Sequence, residues 1–325
     1  NAMRVSIEWS RLEPEEGKWD LKAVEHYHQV FRSLRKHGLV PMVTLFHWTM
    51  PQWLAVKGGF ETEAGLKAFR KFVRAVAVEY GKECQLWLTV NEPEVFVFDG
   101  YLFAKHPPFY KNIWKALKVY RNVIRAHNQS YAILKKYIPY VRVGVAKNVA
   151  FHEPFREGNV LDNLVVKIAN YVGNEFFIER IKNRIDFIGL NYYFTHTVKF
   201  SLLRGFKPMN EKYPKSDMGM KTYPSGLYHL LKRFNKYYKP LYVTENGIAN
   251  CTDIMRVRFI HEHVTAVHRA RHEGVLVKGY FHWSLIDTYE WQDGFDRKFG
   301  LAEVDYTTQK RKLRVSPQLF SSFRK

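Results

Sequence analysis

LWLTVNEP, residues Leu86–Pro93, and LYVTENG, residues Leu241–Gly247, are built alike. Each is a short run of β-branched, aromatic and leucine side chains that stops on a glutamate, and each is broken at once by Pro93 or by Asn246-Gly247. Such a run fits a pleated, buried strand, and such breakers end one. Working outward, five further runs of the same kind are Arg4–Trp9, Met42–Trp48, Val141–Val149, Ile185–Tyr193 and Val275–Trp283. Amphipathic stretches separate them. Asp20 caps an expected helix whose apolar face is Val24, Tyr27, Phe31 and Leu34, closed by Gly38; Leu66, Phe69, Val73 and Tyr80 repeat the device with Gly81 as the stop. Strand, loop, helix and turn in alternation predict an α/β fold with a parallel sheet, of the (β/α)8 TIM-barrel type. Seven parallel strands are recognisable, so the barrel reads as incomplete. In this architecture chemistry gathers on the loops after the strands, where Glu92 and Glu245 stand.

The 325 residues suit one catalytic domain over 1–325, and no Pro/Gly/Ser-rich linker or repeat divides them. Asn1 and Ala2 read as a cloning remnant, with Met3 the expected start and no signal peptide before the first strand. No apolar run approaches a membrane span. Cys84 and Cys251 lie in segments expected at opposite ends of the barrel, which fits unpaired thiols in a cytoplasmic protein. The stretch Phe200–Ser225 carries Gly205, Pro208, Asn210, Pro214, Gly219 and Pro224, and is expected to be a long lid-type loop.

A formal net charge of +20 would suit an anionic partner, but its distribution favours solvated helix faces. Lys111, Lys115, Lys118, Arg121 and Arg125 follow helical spacing and are expected opposite a buried face containing Trp114 and Leu117. No specific nucleic-acid partner is expected. The aromatic share of 16% is high; core filling takes most of these rings, and stacking on the C–H face of a sugar is a further reason for the excess.

Two carboxylates at strand ends across a barrel mouth match double displacement at an anomeric carbon. That reaction needs one ionised and one protonated carboxyl about 5–5.5 Å apart. A lone strand-end glutamate would mean little. Here six motifs occur in order: RVSIEWSRLEP at Arg4–Pro14, TLFHWTMP at Thr44–Pro51, WLTVNEP at Trp87–Pro93, IGLNYY at Ile188–Tyr193, VTENG at Val243–Gly247 and GYFHWSLIDTYEW at Gly279–Trp291. Together they resemble glycoside hydrolase family 1 from Met3 to the C-terminus.

The resemblance implies a retaining β-glycosidase acting on the terminal sugar of small β-glucosides, β-galactosides or β-fucosides, without cofactor or metal. The family's general acid/base falls on Glu92 and its nucleophile on Glu245. Arg4 is expected near the nucleophile and Tyr193 as its hydrogen-bond donor. His47, Trp48, Asn91 and Asn191 are expected to line the sugar site, with Trp283 as a stacking platform. Glu290 and Trp291 would meet outer hydroxyls, and Phe299 would close the wall. The family's 6-phospho-sugar enzymes carry a serine where this chain has Glu290, which implies a non-phosphorylated sugar here.

Departures include Thr49 and Asn250 where the family commonly has Asp. The family's earlier first β/α unit, with its sugar-binding glutamine, has no counterpart before Arg4. If Met3 is the start, the unpaired strand edges call for a cover, and a homo-oligomer with its interface beside the Arg4 strand or the Val275–Trp283 strand is expected. The rival reading is a catalytically idle carbohydrate-binding or scaffold protein. His261-Glu262-His263 lacks the spacing of a zinc-peptidase helix, and no phosphate loop or nucleophile elbow is present.

Overall fold

The computed structural model describes residues 1–201 and 212–323, and the backbone alone of 205–209. By its contacts the chain divides into two compact units, one of residues 1–148 and 177–189, the other of 149–176 and 190–325.

In the first unit the apolar runs become β1 (Ala2–Ser6), β2 (Val40–Phe46), β3 (Leu86–Asn91) and the start of β4 (Arg142–Pro154). Parallel pairing sets Ser6 opposite Thr44 and Phe46 opposite Val90. The β3–β4 register slips between Leu88 and Asn91, an irregularity of the kind that re-aims the side chains beyond it. The helices are α1 (Trp9–Leu12), α2 (Leu21–Lys36), α3 (Gln52–Ala55), α4 (Glu63–Tyr80), α5 (Pro93–Val97) and α6 (Ile113–Tyr137). β1 is shorter than the expected run, because Trp9 opens α1 instead of closing the strand.

Asp20 caps α2 through the amide N–H groups of Lys22 and Ala23. The buried face is Ala23, Tyr27, Phe31 and Leu34, so it starts one residue before the expected Val24. Gly81 follows α4 with an ordinary right-handed φ of −59° and is needed for space: a Cβ there would meet the Ala77 carbonyl oxygen at 2.4 Å. The largest correction is in α6. Its buried residues include Ala116, Val119, Tyr120 and Val123, whereas Trp114 is 78% and Leu117 53% exposed.

The second unit contains the end of β4, then α7 (Val160–Ala169), the first residue of α8 (Phe176–Ile181) and most of β5 (Phe187–Ser201). β6 (Gly205–Met209), α9 (Pro224–Phe234), β7 (Leu241–Asn246), α10 (Ile254–His272) and β8 (Val277–His282) follow. A small antiparallel pair, β9 (Ala302–Val304) with β10 (Arg311–Leu313), precedes α11 (Ser316–Ser322). The expected lid over 200–225 is partly regular, since β5 runs to Ser201 and β6 returns antiparallel to it; residues 202–204 and 210–211 of that expectation lie outside the described residues.

β1, β2, β3, β4, β5, β7 and β8 are sheet neighbours in chain order, with β6 added to β5. This is an α/β fold of the TIM-barrel type with seven recognisable strands. Among the described residues no helix is long and apolar enough to cross a membrane, and no cluster of three metal-ligating side chains occurs. Cys84 is buried, Cys251 is exposed, and both are free thiols.

Candidate active site

Five of the residues singled out from the sequence fall in the first unit, and four of them, Arg4, His47, Trp48 and Asn91, form one polar network. On β1, Arg4 and Ser6 are two residues apart and so share a face. The Arg4 guanidinium donates to Asn91 Oδ1 at 2.6 Å and to Thr44 Oγ1 at 3.1 Å. Asn91 Nδ2 donates to His47 Nε2 at 2.9 Å, which leaves His47 Nδ1 to carry the hydrogen toward Ser6 Oγ, also at 2.9 Å. Desolvation of this half-buried ring, with Arg4 nearby, pushes the His47 imidazole down to about 3, so the ring is neutral and this tautomer is fixed by its neighbours. The Trp48 indole N–H donates to the Asn91 carbonyl at 3.0 Å.

Glu92 follows directly. It is buried, its N–H donates to the Ala146 carbonyl at 2.7 Å, and its backbone is left-handed with φ 43°. For a residue with a Cβ that conformation is strained, and such strain concentrates at functional sites. Pro93 at the start of α5 carries no N–H and turns the chain into the helix.

The other seven residues fall in the second unit. Glu245, buried at the end of β7, accepts a 2.6 Å hydrogen bond from the Tyr193 hydroxyl, and the Tyr193 ring lies edge-on to Phe299 with centroids 6.1 Å apart. Asn191 Oδ1 accepts from Thr244 Oγ1 at 2.7 Å, fixing the amide from the adjacent strand. The Asn246 carbonyl accepts from the Trp283 N–H at 3.0 Å, and its side-chain oxygen accepts from the Tyr280 hydroxyl at 2.7 Å. Gly247 is sterically required: a Cβ would stand 1.9 Å from the Trp283 carbonyl oxygen. The loop after Glu245 therefore packs backbone to backbone against the segment that carries Trp283.

Glu290 has a strongly perturbed carboxyl. Burial drives its carboxyl up to about 8; the 3.2 Å donation from the Trp283 indole N–H pulls the other way, and nearby Glu245 adds to the rise. Trp291 has a left-handed φ of 52° and is partly exposed. The two departures have structural employment. Thr49 Oγ1 donates to Glu8 Oε2 at 2.5 Å, and Asn250 Oδ1 accepts from the Met255 N–H at 3.2 Å.

Ser6, Thr44, Thr244 and Tyr280 carry no expected role within the motifs that contain them, yet each buttresses another motif residue. Polar side chains inside otherwise apolar runs, such as Ser6 two residues after Arg4, were the available signal.

The chain matches the model of glycosyl hydrolase family 1 over residues 1–180 and 174–325. The chain belongs to this family. It is 31% identical to the 1,4-beta-D-glucan glucohydrolase of Thermotoga neapolitana, over 99% of this chain and 82% of that protein. It is also 34% identical to the Arabidopsis thaliana protein named galactolipid galactosyltransferase SFR2, chloroplastic, over 98% of this chain and 54% of that one. Among solved structures, the beta-glycosidase from Pyrococcus horikoshii superposes with a TM-score of 0.93 at 39% identity, covering 99% of this chain and 80% of that one. The Thermotoga maritima beta-glucosidase in complex with glucoimidazole gives 0.94 at 30% identity, with 99% and 82% covered. As a family 1 member the chain is a glycoside hydrolase of β-glycosidase type.

Proposed function

We propose that this family 1 enzyme removes the terminal β-linked sugar from small β-glycosides by double displacement, with Glu245 as nucleophile and Glu92 as general acid/base. The observation that carries the reading is the Tyr193 hydroxyl directed at Glu245, an acceptor fixed at a strand end by its own turn chemistry. The strained backbone of Glu92 supports the second role. Arg4, His47, Trp48, Asn91, Asn191, Trp283, Glu290, Trp291 and Phe299 are the residues assigned to sugar binding.

In this scheme the glycosyl carbon passes to a Glu245 oxygen as Glu92 protonates the leaving oxygen; water, deprotonated by Glu92, then releases the sugar with its β-configuration kept. The single catalytic domain, the absence of any cofactor and the cytoplasmic setting belong to the same proposal. So does a homo-oligomer with an interface at β1 or β8, for which light scattering is the test. Relatives named beta-glucosidase and beta-galactosidase support a neutral hexose as substrate.

Glu245→Ala tests the assignment: hydrolysis of an aryl β-glucoside should disappear, and azide should restore turnover with an α-glycosyl azide as product. Near-native turnover by this variant would refute the assignment of Glu245, and sugar binding without any hydrolysis by the parent would favour a non-catalytic role.

A further inference from the structure

The exposed side of α6 is not used by the catalytic reading. Ile113, Trp114 and Leu117 project from its first turns into solvent, and Phe103, Phe109 and Tyr110 are exposed on the loop just before it. The opposite face of the helix already fills the interior, so these side chains have no core left to enter. The loop is tied down as well. Tyr110 N–H donates to the Gly100 carbonyl at 2.9 Å, Asn112 N–H to that of Tyr101 at 2.8 Å, and the Asn112 side chain caps α6. The apolar surface is thus a held feature.

Its charge is one-sided. From Tyr101 to Lys118 the sequence carries Lys105, Lys111, Lys115 and Lys118 and no aspartate or glutamate. Lys105 and Lys115 lie over the Phe103 and Tyr110 rings, 5.6 and 3.7 Å from the centroids, and Lys111 and Lys118 flank Trp114. The acids facing this group from other elements are Glu61, 3.0 Å from Lys115, and Asp99, 3.5 Å from Lys105. The loop also reaches the site: the His106 ring centroid is 5.3 Å from that of Trp48.

We infer that this patch docks the enzyme on an anionic lipid bilayer, with Trp114, Tyr110 and the phenylalanines at headgroup level and the lysines against lipid phosphates. Aromatic and aliphatic side chains flanked by lysines, with Lys111 and Lys118 beside Trp114, have the composition of an interfacial anchor. A second copy is disfavoured, because a two-fold contact would bring two cationic rims together. Nucleic acid would use the lysines and rings but gains nothing from Ile113 or Leu117. Through His106 the docked face would present β-glycosides with lipid-like leaving groups near Trp48.

The test is co-sedimentation of the whole chain with vesicles of phosphatidylcholine alone or mixed with phosphatidylglycerol. Binding should need the anionic lipid and weaken in about 0.5 M salt. The variant Ile113→Ser/Trp114→Ala/Leu117→Ser, and separately Lys111→Glu/Lys118→Glu, should each bind about tenfold more weakly or worse. Both should hydrolyse a soluble aryl glycoside at the parental rate. No binding to anionic vesicles, or undiminished binding by either variant, would overturn the inference. So would capture of a single-stranded oligonucleotide in place of vesicles, or dissociation of a dimer by the same substitutions.

Discussion

Replacing Glu290 with glutamine should flatten the pH dependence of folding across the window from the carboxyl's ordinary value of 4.5 to about 8, the value burial gives it. The folded protein holds the Glu290 proton where the unfolded chain has released it. Stability from this group is therefore full below pH 4.5 and is lost as pH rises through 8. Each pH unit is worth ~1.36 kcal/mol, so the window of 8 − 4.5 = 3.5 units holds at most about 5 kcal/mol. Glutamine keeps the size of the side chain and an oxygen for the Trp283 indole N–H, but has no proton to lose. Chemical denaturation stepped from about pH 5 to 9 should show the parent losing stability relative to Glu290→Gln, with the gap widest at the alkaline end. Parallel curves for the two proteins would refute the reasoning. The same shift alters the argument against phosphorylated sugars: near neutrality Glu290 is mostly protonated, so charge repulsion of a 6-phosphate should sharpen only as pH passes 8.

Tyr193→Phe removes a hydrogen bond to a charged acceptor, worth about 1.5–3 kcal/mol, and should lower kcat/KM by roughly 10- to 150-fold with the fold intact by circular dichroism. Gly247→Ala forces a carbon into the Trp283 carbonyl and should cost about 1–3 kcal/mol in denaturation together with a larger loss of activity than Tyr193→Phe. For the sugar, 6-phospho-glucosides should turn over more slowly than plain glucosides, and the ratio measured at pH 9 should exceed that at pH 6.

What the sequence made legible is what depends on short-range rules. The glutamates could be placed because strand formers end on them and chain breakers follow, and the Asp20 cap because a side chain and two amide groups suffice to make it. Long-range packing was less readable. Lysine spacing along α6 suggested a polar face opposite Trp114, but tertiary contacts select Ala116, Val119 and Val123 as the buried face and leave the tryptophan outside. Gly81 looked like a helix stop and is needed for clearance. The buried state of Glu290, which decides its protonation, comes from loops that no local pattern specifies. Likewise the neutral tautomer of His47 follows from the joint placement of Ser6 and Arg4 on β1 and Asn91 on β3.

The central claim is that Glu245 becomes covalently glycosylated while Glu92 assists. An activated 2-deoxy-2-fluoro-β-glucoside slows the second displacement and lets the first product accumulate, so incubating it with the protein and mapping the modified peptide tests the claim most directly. The account predicts one sugar per chain, attached to Glu245, formed faster by the parent than by Tyr193→Phe. A sugar on any other residue, or none while the enzyme remains active on the parent glucoside, would contradict it.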